Sequence, residues 1–242
     1  MSDRSVAVIT GGTRGLGLAI AERLAHAGHE LVLVYHADEA SAEAARAELA
    51  AVTSVRLEKA DVSSPAQVEA LAARLGSRVD VLIHSALRSG RPPRKTHELE
   101  VEAFTEDLST NLIGAFTVCR AVLPAMMSRG FGRIVLVGSL AMRGEPGRVA
   151  YSVAKAGLVG LAKTIAKEYA KHGITANVVN PGFINAGAFS RLSQEIRERA
   201  VAGVPARRAG TAGEVAEAVM YLVGPGSGYV TGQVLSVDGG AS

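Results

Sequence analysis

Tyr151 and Lys155 stand four residues apart in Tyr151-Ser152-Val153-Ala154-Lys155, at the start of a stretch with helical periodicity. That spacing sets a phenol and an ammonium on one helix face. A nearby cation favours the phenolate and lowers the phenol's pKa from about 10 toward neutral pH, where it can exchange a proton with a substrate oxygen. Surface helices also carry such pairs routinely, so the spacing alone is compatible with a solvated face. Gly138-Ser139 ends an apolar run twelve residues before Tyr151, where a hydroxyl could hold a carbonyl or alkoxide oxygen, or serve only as a turn residue or helix cap. Asn111, inside a helical pattern, reads locally as a packing or surface amide.

A second constellation binds rather than reacts. Thr10-Gly11-Gly12-Thr13-Arg14-Gly15-Leu16-Gly17 follows a short apolar run and opens an amphipathic helix, the strand–turn–helix setting of a dinucleotide fingerprint. Glycines permit the tight turn and bring backbone N–H groups close to a pyrophosphate, which the helix N-terminus favours electrostatically. A glycine-rich turn of an unrelated fold is the alternative. Asp61-Val62 follows another strand-like run, where the carboxylate could accept a hydrogen bond from an adenine amino group or simply start a helix.

These groups need a scaffold that brings strand ends together. Runs at Val6–Thr10, Glu30–Tyr35, 54–58, 79–83, 133–137, 174–179 and Val234–Val237 alternate with helix-length stretches, which predicts βαβ units and a parallel, doubly wound α/β sheet. VAVIT, LVLVY and IVLVG are apolar without alternation, as strands covered by helices on both faces can be. Ala27-Gly28-His29, Ser64-Pro65 and Gly173 punctuate the helices. No repeat or linker divides residues 1–242, so one domain is expected.

Composition narrows the class. The chain has 48% hydrophobic residues and a formal charge of +3, too mild for nucleic-acid binding to follow from net charge. No apolar run reaches the roughly 20 uncharged residues of a membrane span, and the start, with Asp3 and Arg4, lacks a signal-peptide layout; a cytoplasmic location without membrane association is expected. The single Cys119, among apolar residues, excludes a disulfide framework, and the six histidines show no metal-ligand spacing. Arg88, Arg91, Arg94 and Lys95 crowd a stretch stiffened by Pro92 and Pro93, which could dock an anionic carrier or be a solvated loop; Arg129, Arg133 and Lys171 are candidates to extend it.

Taken in order, TGGTRGLG at 10–17, Asp61-Val62, Asn111, Ser139, YSVAK at 151–155, NPGFI at 180–184 and TGQVLSVDGG at 231–240 resemble the short-chain dehydrogenases/reductases. The resemblance spans essentially the whole chain and is most similar to the 3-oxoacyl-(acyl-carrier-protein) reductases and polyketide ketoreductases. It implies a Rossmann fold with a seven-stranded sheet, Tyr151 as general acid/base, Lys155 lowering its pKa and gripping the nicotinamide ribose, Ser139 polarising the carbonyl, and Asn111 holding a relay water. Cofactor contacts are implied for Gly11, Thr13, Arg14, Gly15, Leu16 and Gly17 in the turn, for His36, Asp61, Val62, Ser85 and Ala86 on the adenosine side, and for Tyr151, Lys155, Pro181, Gly182 and Ile184 around the nicotinamide. A homotetramer built on the helices around Asn111 and Tyr151 is also implied.

The enoyl-reductase branch usually separates its tyrosine and lysine by six residues, so the three-residue gap here implies carbonyl reduction. NAD-preferring relatives carry an acid at the end of the second strand; His36 stands there, and Arg14 resembles the basic residue that pairs with a 2′-phosphate, so NADP(H) is expected, although Asp38 lies only two residues beyond. The expected reaction is reduction of a ketone, on an acyl-carrier protein or coenzyme A thioester, to a secondary alcohol. Alternatives are a dehydrogenase of a small secondary alcohol, sugar or steroid, and a non-catalytic dinucleotide-binding subunit. Two departures stand out. His84-Ser85-Ala86-Leu87 replaces the usual Asn-Asn-Ala-Gly, with Leu87 predicting a rearranged cofactor wall, and Ala186 replaces a threonine that often bonds the carboxamide, with Asn185 beside it.

Overall fold

In the computed structural model, residues 4–88 and 90–242 are described; Asp3 and Ser89 lie outside them. The seven apolar runs form seven strands: β1 (Val6–Thr10), β2 (Glu30–Tyr35), β3 (Val55–Lys59), β4 (Val81–His84), β5 (Gly132–Val137), β6 (Ile174–Pro181) and β7 (Val234–Val237). All pairings are parallel, in the order β3-β2-β1-β4-β5-β6-β7. The order reverses between β1 and β4, and in such sheets the crevice beyond the carboxyl ends at the reversal receives the ligand. The glycine turn leaves β1 there, and residues 85–88 leave β4 there.

Strand β4 starts two residues later than its hydropathy suggests, because Asp80 is tied down. Its carboxylate accepts from Val6 N at 2.8 Å and from Arg129 Nε at 2.9 Å. It ends one residue later, on a polar side chain, because Thr10 and His84 continue the β1–β4 register.

Helices cover both faces. On one, α3 (Pro65–Leu75), α5 (Gly114–Arg129) and α6 (Val149–Tyr169) bury Val68, Leu71, Val118, Val122, Leu158 and Ile165 against Val8, Leu82, Leu136 and Val178. On the other, α1 (Gly15–His26), α2 (Glu39–Leu49) and the helix Ala212–Val223 bury Ile20, Leu24, Leu49, Val215 and Val219 against Ile9, Leu33, Ile83 and Val179. Ser64 caps α3 ahead of Pro65, and α6 continues as a 3-10 turn to His172 before Gly173 (φ 72°) stops it. Cys119 is buried in α5, with its thiol pushed up to about 12 by that burial. The stretches Val101–Arg129 and Val149–His172 are long and apolar enough to be compared with membrane spans, and in both part of the helix is packed against the sheet.

Candidate active site

Ser139 is the second residue beyond β5 and caps the 3-10 turn Leu140–Arg143, its Oγ accepting from Ala141 N at 3.2 Å. Tyr151 lies in the first turn of α6, and its phenol is hydrogen-bonded to Ser139. Burial raises the Tyr151 pKa; the Ser139 hydrogen bond and the Arg148 guanidinium act against that rise, while Glu145 adds to it. Arg148 Cζ is 5.3 Å from the Tyr151 ring centroid, and Lys155 Nζ is 5.7 Å from it. Lys155 is 3% exposed, donates to the Val137 carbonyl at 2.7 Å, and is pushed down to about 8 by burial. One hydroxyl, one phenol and one buried amine thus converge at the carboxyl end of β5, a set able to polarise a carbonyl and protonate its oxygen.

Asn111 sits in a π-helical turn, Ser109–Ile113, between α4 (Val101–Leu108) and α5, a distortion frequent at functional sites. Its side chain is fully buried and spoken for: Oδ1 accepts from Arg88 N and Nδ2 donates to Arg88 O, both at 3.0 Å. The amide therefore clamps the backbone that leaves β4.

The turn after β1 fits a dinucleotide. Gly11 has φ +66°, and a Cβ there would stand 2.9 Å from the Ser85 carbonyl oxygen. A Cβ on Gly17 would run into the Gly11 carbonyl. Arg14 precedes α1 without a capping side chain, and the first turn holds no acid, which leaves the amides of Gly15, Leu16 and Gly17 to meet phosphate oxygens. Thr13 is buried beside them, and Thr10 Oγ1 accepts from Ala86 N at 3.2 Å, fixing the turn to the Ser85-Ala86 wall. The segment after β6 closes the other side. Gly182 N donates to Val237 O at 3.0 Å, Ile184 pairs with Gly210, and a Cβ on Gly15 would approach Gly187 at 3.9 Å. Pro181 ends β6 in register with Val237.

On the adenosine side, β2 ends at Tyr35, so His36 holds the position after the strand. Its Nε2 is 3.8 Å from Asp61 Oδ2. Asp61 also accepts from Ser63 N and Oγ; burial would raise its pKa, but those bonds and His36 leave it lowered. Val62 packs over Gly114 of α5, with its carbonyl accepting from Thr117 Oγ1 at 3.2 Å. Asp38 caps α2 by accepting from Ser41 N, and its other oxygen lies 3.4 Å from Arg14 Nη1, so Arg14 and Asp38 face each other across this end of the crevice.

Three expectations change. Leu87 does not disturb the wall: positive φ outside glycine occurs only at Arg207 among the described residues, and the Leu87 side chain is 46% exposed. The close approach to Gly11 is made by Ser85 and Ala86. Arg88 and Arg91 are not free cations, because both reach Glu106 and Asp107 of α4, Arg88 at 2.8 Å and Arg91 at 3.1 Å from Glu106. Arg129 and Arg133 lie at the amino-terminal edge of the sheet, opposite Tyr151 within the chain, where Arg129 pairs with Asp80 and Arg133 donates to Gly132 O and Gly173 O. Arg148 joins the site from the residue before α6, and its three-residue lead on Tyr151 at the start of a helical stretch is the one sequence signal for it. Asn185 is exposed and Ala186 N closes a tight turn onto Ile184 O.

The chain matches, over residues 11–242, a family model described as Enoyl-(Acyl carrier protein) reductase. It is 37% identical to 3-oxoacyl-[acyl-carrier-protein] reductase FabG of Escherichia coli (strain K12), covering 97% of this chain and 96% of that protein. It is 34% identical to acetoacetyl-CoA reductase of Allochromatium vinosum, covering 97% of each. A crystal structure of actinorhodin polyketide ketoreductase with NADPH superposes with a TM-score of 0.92 at 36% identity, covering 100% of this chain and 98% of that one.

Proposed function

We propose a reaction for this chain from the fact that it belongs to the short-chain dehydrogenase/reductase family: the NADPH-dependent reduction of a ketone to a secondary alcohol. The observation that carries this reading is the meeting of Ser139, Tyr151 and Lys155 at the carboxyl end of β5, beside the glycine turn. Gly11 through Gly17 would hold the pyrophosphate, Arg14 the 2′-phosphate, and Lys155 the nicotinamide ribose. NADPH, when bound, supplies the hydride that reaches the carbonyl carbon. Ser139 donates a hydrogen bond to the carbonyl oxygen, and Tyr151 delivers the proton that completes the alcohol. Lys155, as a buried cation, makes loss of that proton easier. Asn111 holds the backbone of Arg88 and, through it, the floor on which a relay water would sit.

The whole chain acts as one catalytic domain. Its substrate is a 3-oxoacyl or polyketide-like thioester, in line with FabG, acetoacetyl-CoA reductase and the actinorhodin enzyme. Although the family model's description names enoyl reduction, the three-residue Tyr151–Lys155 gap and these three relatives support carbonyl chemistry. Subunits assemble as a homotetramer through α5 and α6, supported by exposed Phe116, Met127 and Val153 and by an apolar groove of about 710 Å³ floored by Leu123, Leu161 and Ile165. The enzyme works in the cytoplasm. The direct test is loss of NADPH absorbance with a panel of 3-oxoacyl thioesters, polyketide-like ketones and the matching enoyl thioesters. Turnover of the enoyl compounds alone would overturn the reading.

A further inference from the structure

His84 is 1% exposed at the end of β4, in register with Thr10 on one neighbouring strand and with Leu136 on the other. Val8, Leu82 and Leu136 all point to the face covered by α6, so the alternation of side chains puts Thr10 and His84 on that face too. Lys155 descends from α6 onto the same place, its ammonium donating to the carbonyl of Val137, the residue after Leu136. His84 Nδ1 is 3.0 Å from Thr10 Oγ1, while Nε2 is buried without a hydrogen-bond partner. A buried imidazole nitrogen without a partner calls for an account, since a polar atom taken out of water loses hydrogen bonds that nothing replaces.

We propose that His84 is a positioning residue for Lys155, offering its Nε2 lone pair to the ammonium while Nδ1–H donates to Thr10 Oγ1. The inference rests on the assignment of Lys155 to the reaction. Thr10 Oγ1 has two lone pairs and already accepts from Ala86 N, so it can take the Nδ1–H as a second donor. The opposite tautomer would let Thr10 donate to Nδ1 but would aim the Nε2–H at a cation. The imidazole stays neutral: burial, and then Lys155, push it down to about 3, so its lone pair is available wherever Lys155 is protonated. The charged and titratable groups around the pair are few. Tyr151 faces Lys155 from its own helix, and Arg148 and Glu145 reach Tyr151 from the segment before it. The chain Ala86–Thr10–His84–Lys155 thus joins the glycine turn and its wall to the amine, so that ordering one end orders the other.

The test begins without turnover, on the cofactor-free protein. Nitrogen-15 NMR of His84 should show Nδ1 protonated and Nε2 bare from pH 6 to 9, and Lys155→Met should change that Nε2 signal. Protonated Nε2, or a signal indifferent to Lys155→Met, overturns the proposal. Kinetics supply the second readout. His84→Phe should weaken NADPH binding, followed by fluorescence, about tenfold and make that binding fall away at lower pH on the alkaline side, because an ammonium without its acceptor deprotonates sooner. His84→Gln, whose Oε1 can accept, should recover most of both. Equal behaviour of Phe and Gln variants, with wild-type pH profiles or with matching loss, counts against the idea. If Tyr151→Phe still turns over, the catalytic reading itself fails; if Tyr151→Phe is dead and His84→Phe keeps the wild-type profile and affinity, only this inference fails.

Discussion

The Arg148 guanidinium stands 5.3 Å from the centre of the Tyr151 ring, against 5.7 Å for the Lys155 ammonium. Two cations therefore flank one buried phenol, and the rise that burial imposes on its pKa is countered first by the Ser139 hydrogen bond and then by the Arg148 guanidinium. Removing a cation disfavours the phenolate, so Arg148→Ala should raise the Tyr151 pKa and carry the alkaline limb of kcat for ketone reduction upward. Glu145 and solvent screen this partly exposed guanidinium, so the displacement should stay under about one pH unit. A limb that moves downward would refute the assignment. Tyr151→Phe is the companion variant. It should fold and bind NADPH yet lose roughly 10²–10⁴-fold of its turnover, because the transferable proton is gone.

Lys155 has a pKa near 8 in the folded protein, below its ordinary value of 10.5, because burial penalises the ammonium. The unfolded chain therefore binds more protons than the folded one between those two values, and stability from this group rises with pH across that window. The cofactor-free protein should gain melting temperature from pH 8 to 10 relative to Lys155→Met, in which that contribution is absent. Parallel melting curves for the two proteins over that range would show that the amine is not desolvated as described.

Arg14 faces Asp38 at the adenosine end of the crevice, and both side chains are exposed enough to reorient. Arg14→Ala should lower kcat/KM with NADPH about 10–100-fold, the worth of a charge-assisted hydrogen bond to a phosphate, and leave NADH nearly unchanged. Asp38→Asn should move the ratio the other way, since it removes the carboxylate that competes for the guanidinium. A wild-type preference for NADH, measured directly, would mean that Asp38 rather than Arg14 governs this end.

The proposed docking of an anionic carrier rests on fewer cations than the run of Arg88, Arg91, Arg94 and Lys95 suggests. Arg88 and Arg91 are engaged by Glu106 and Asp107, whereas the ion pairs found among the described residues do not include Arg94 and Lys95. Arg94→Ala/Lys95→Ala should raise KM for a carrier-bound ketone several-fold at low salt and leave a small free ketone nearly untouched. The difference should fade toward 1 M ionic strength, where the screening length is about 3 Å. Equal loss on both substrates would assign the pair to folding rather than docking.

The sequence by itself determined the sheet and named most of the candidate site. Apolar runs such as VAVIT and LVLVY, alternating with helix-length stretches, read as strands covered on both faces, and the glycines at 11 and 17 stand where a side chain would collide with the turn. The four-residue step from Tyr151 to Lys155 fixes a shared helix face through local geometry alone. What the tertiary structure decided is every relation between strands. Local spacing carries no information on which carbonyl Lys155 meets, on the pairing of Arg88 and Arg91 with α4, or on the clamp between Asn111 and the Arg88 backbone. His84 shows the difference most clearly. In the chain it is an unusual residue after an apolar run, and its place beside Lys155 follows only once the register sets it between Thr10 and Leu136 under α6, because burial and charge act through space between segments that the chain holds 71 residues apart, from 84 to 155.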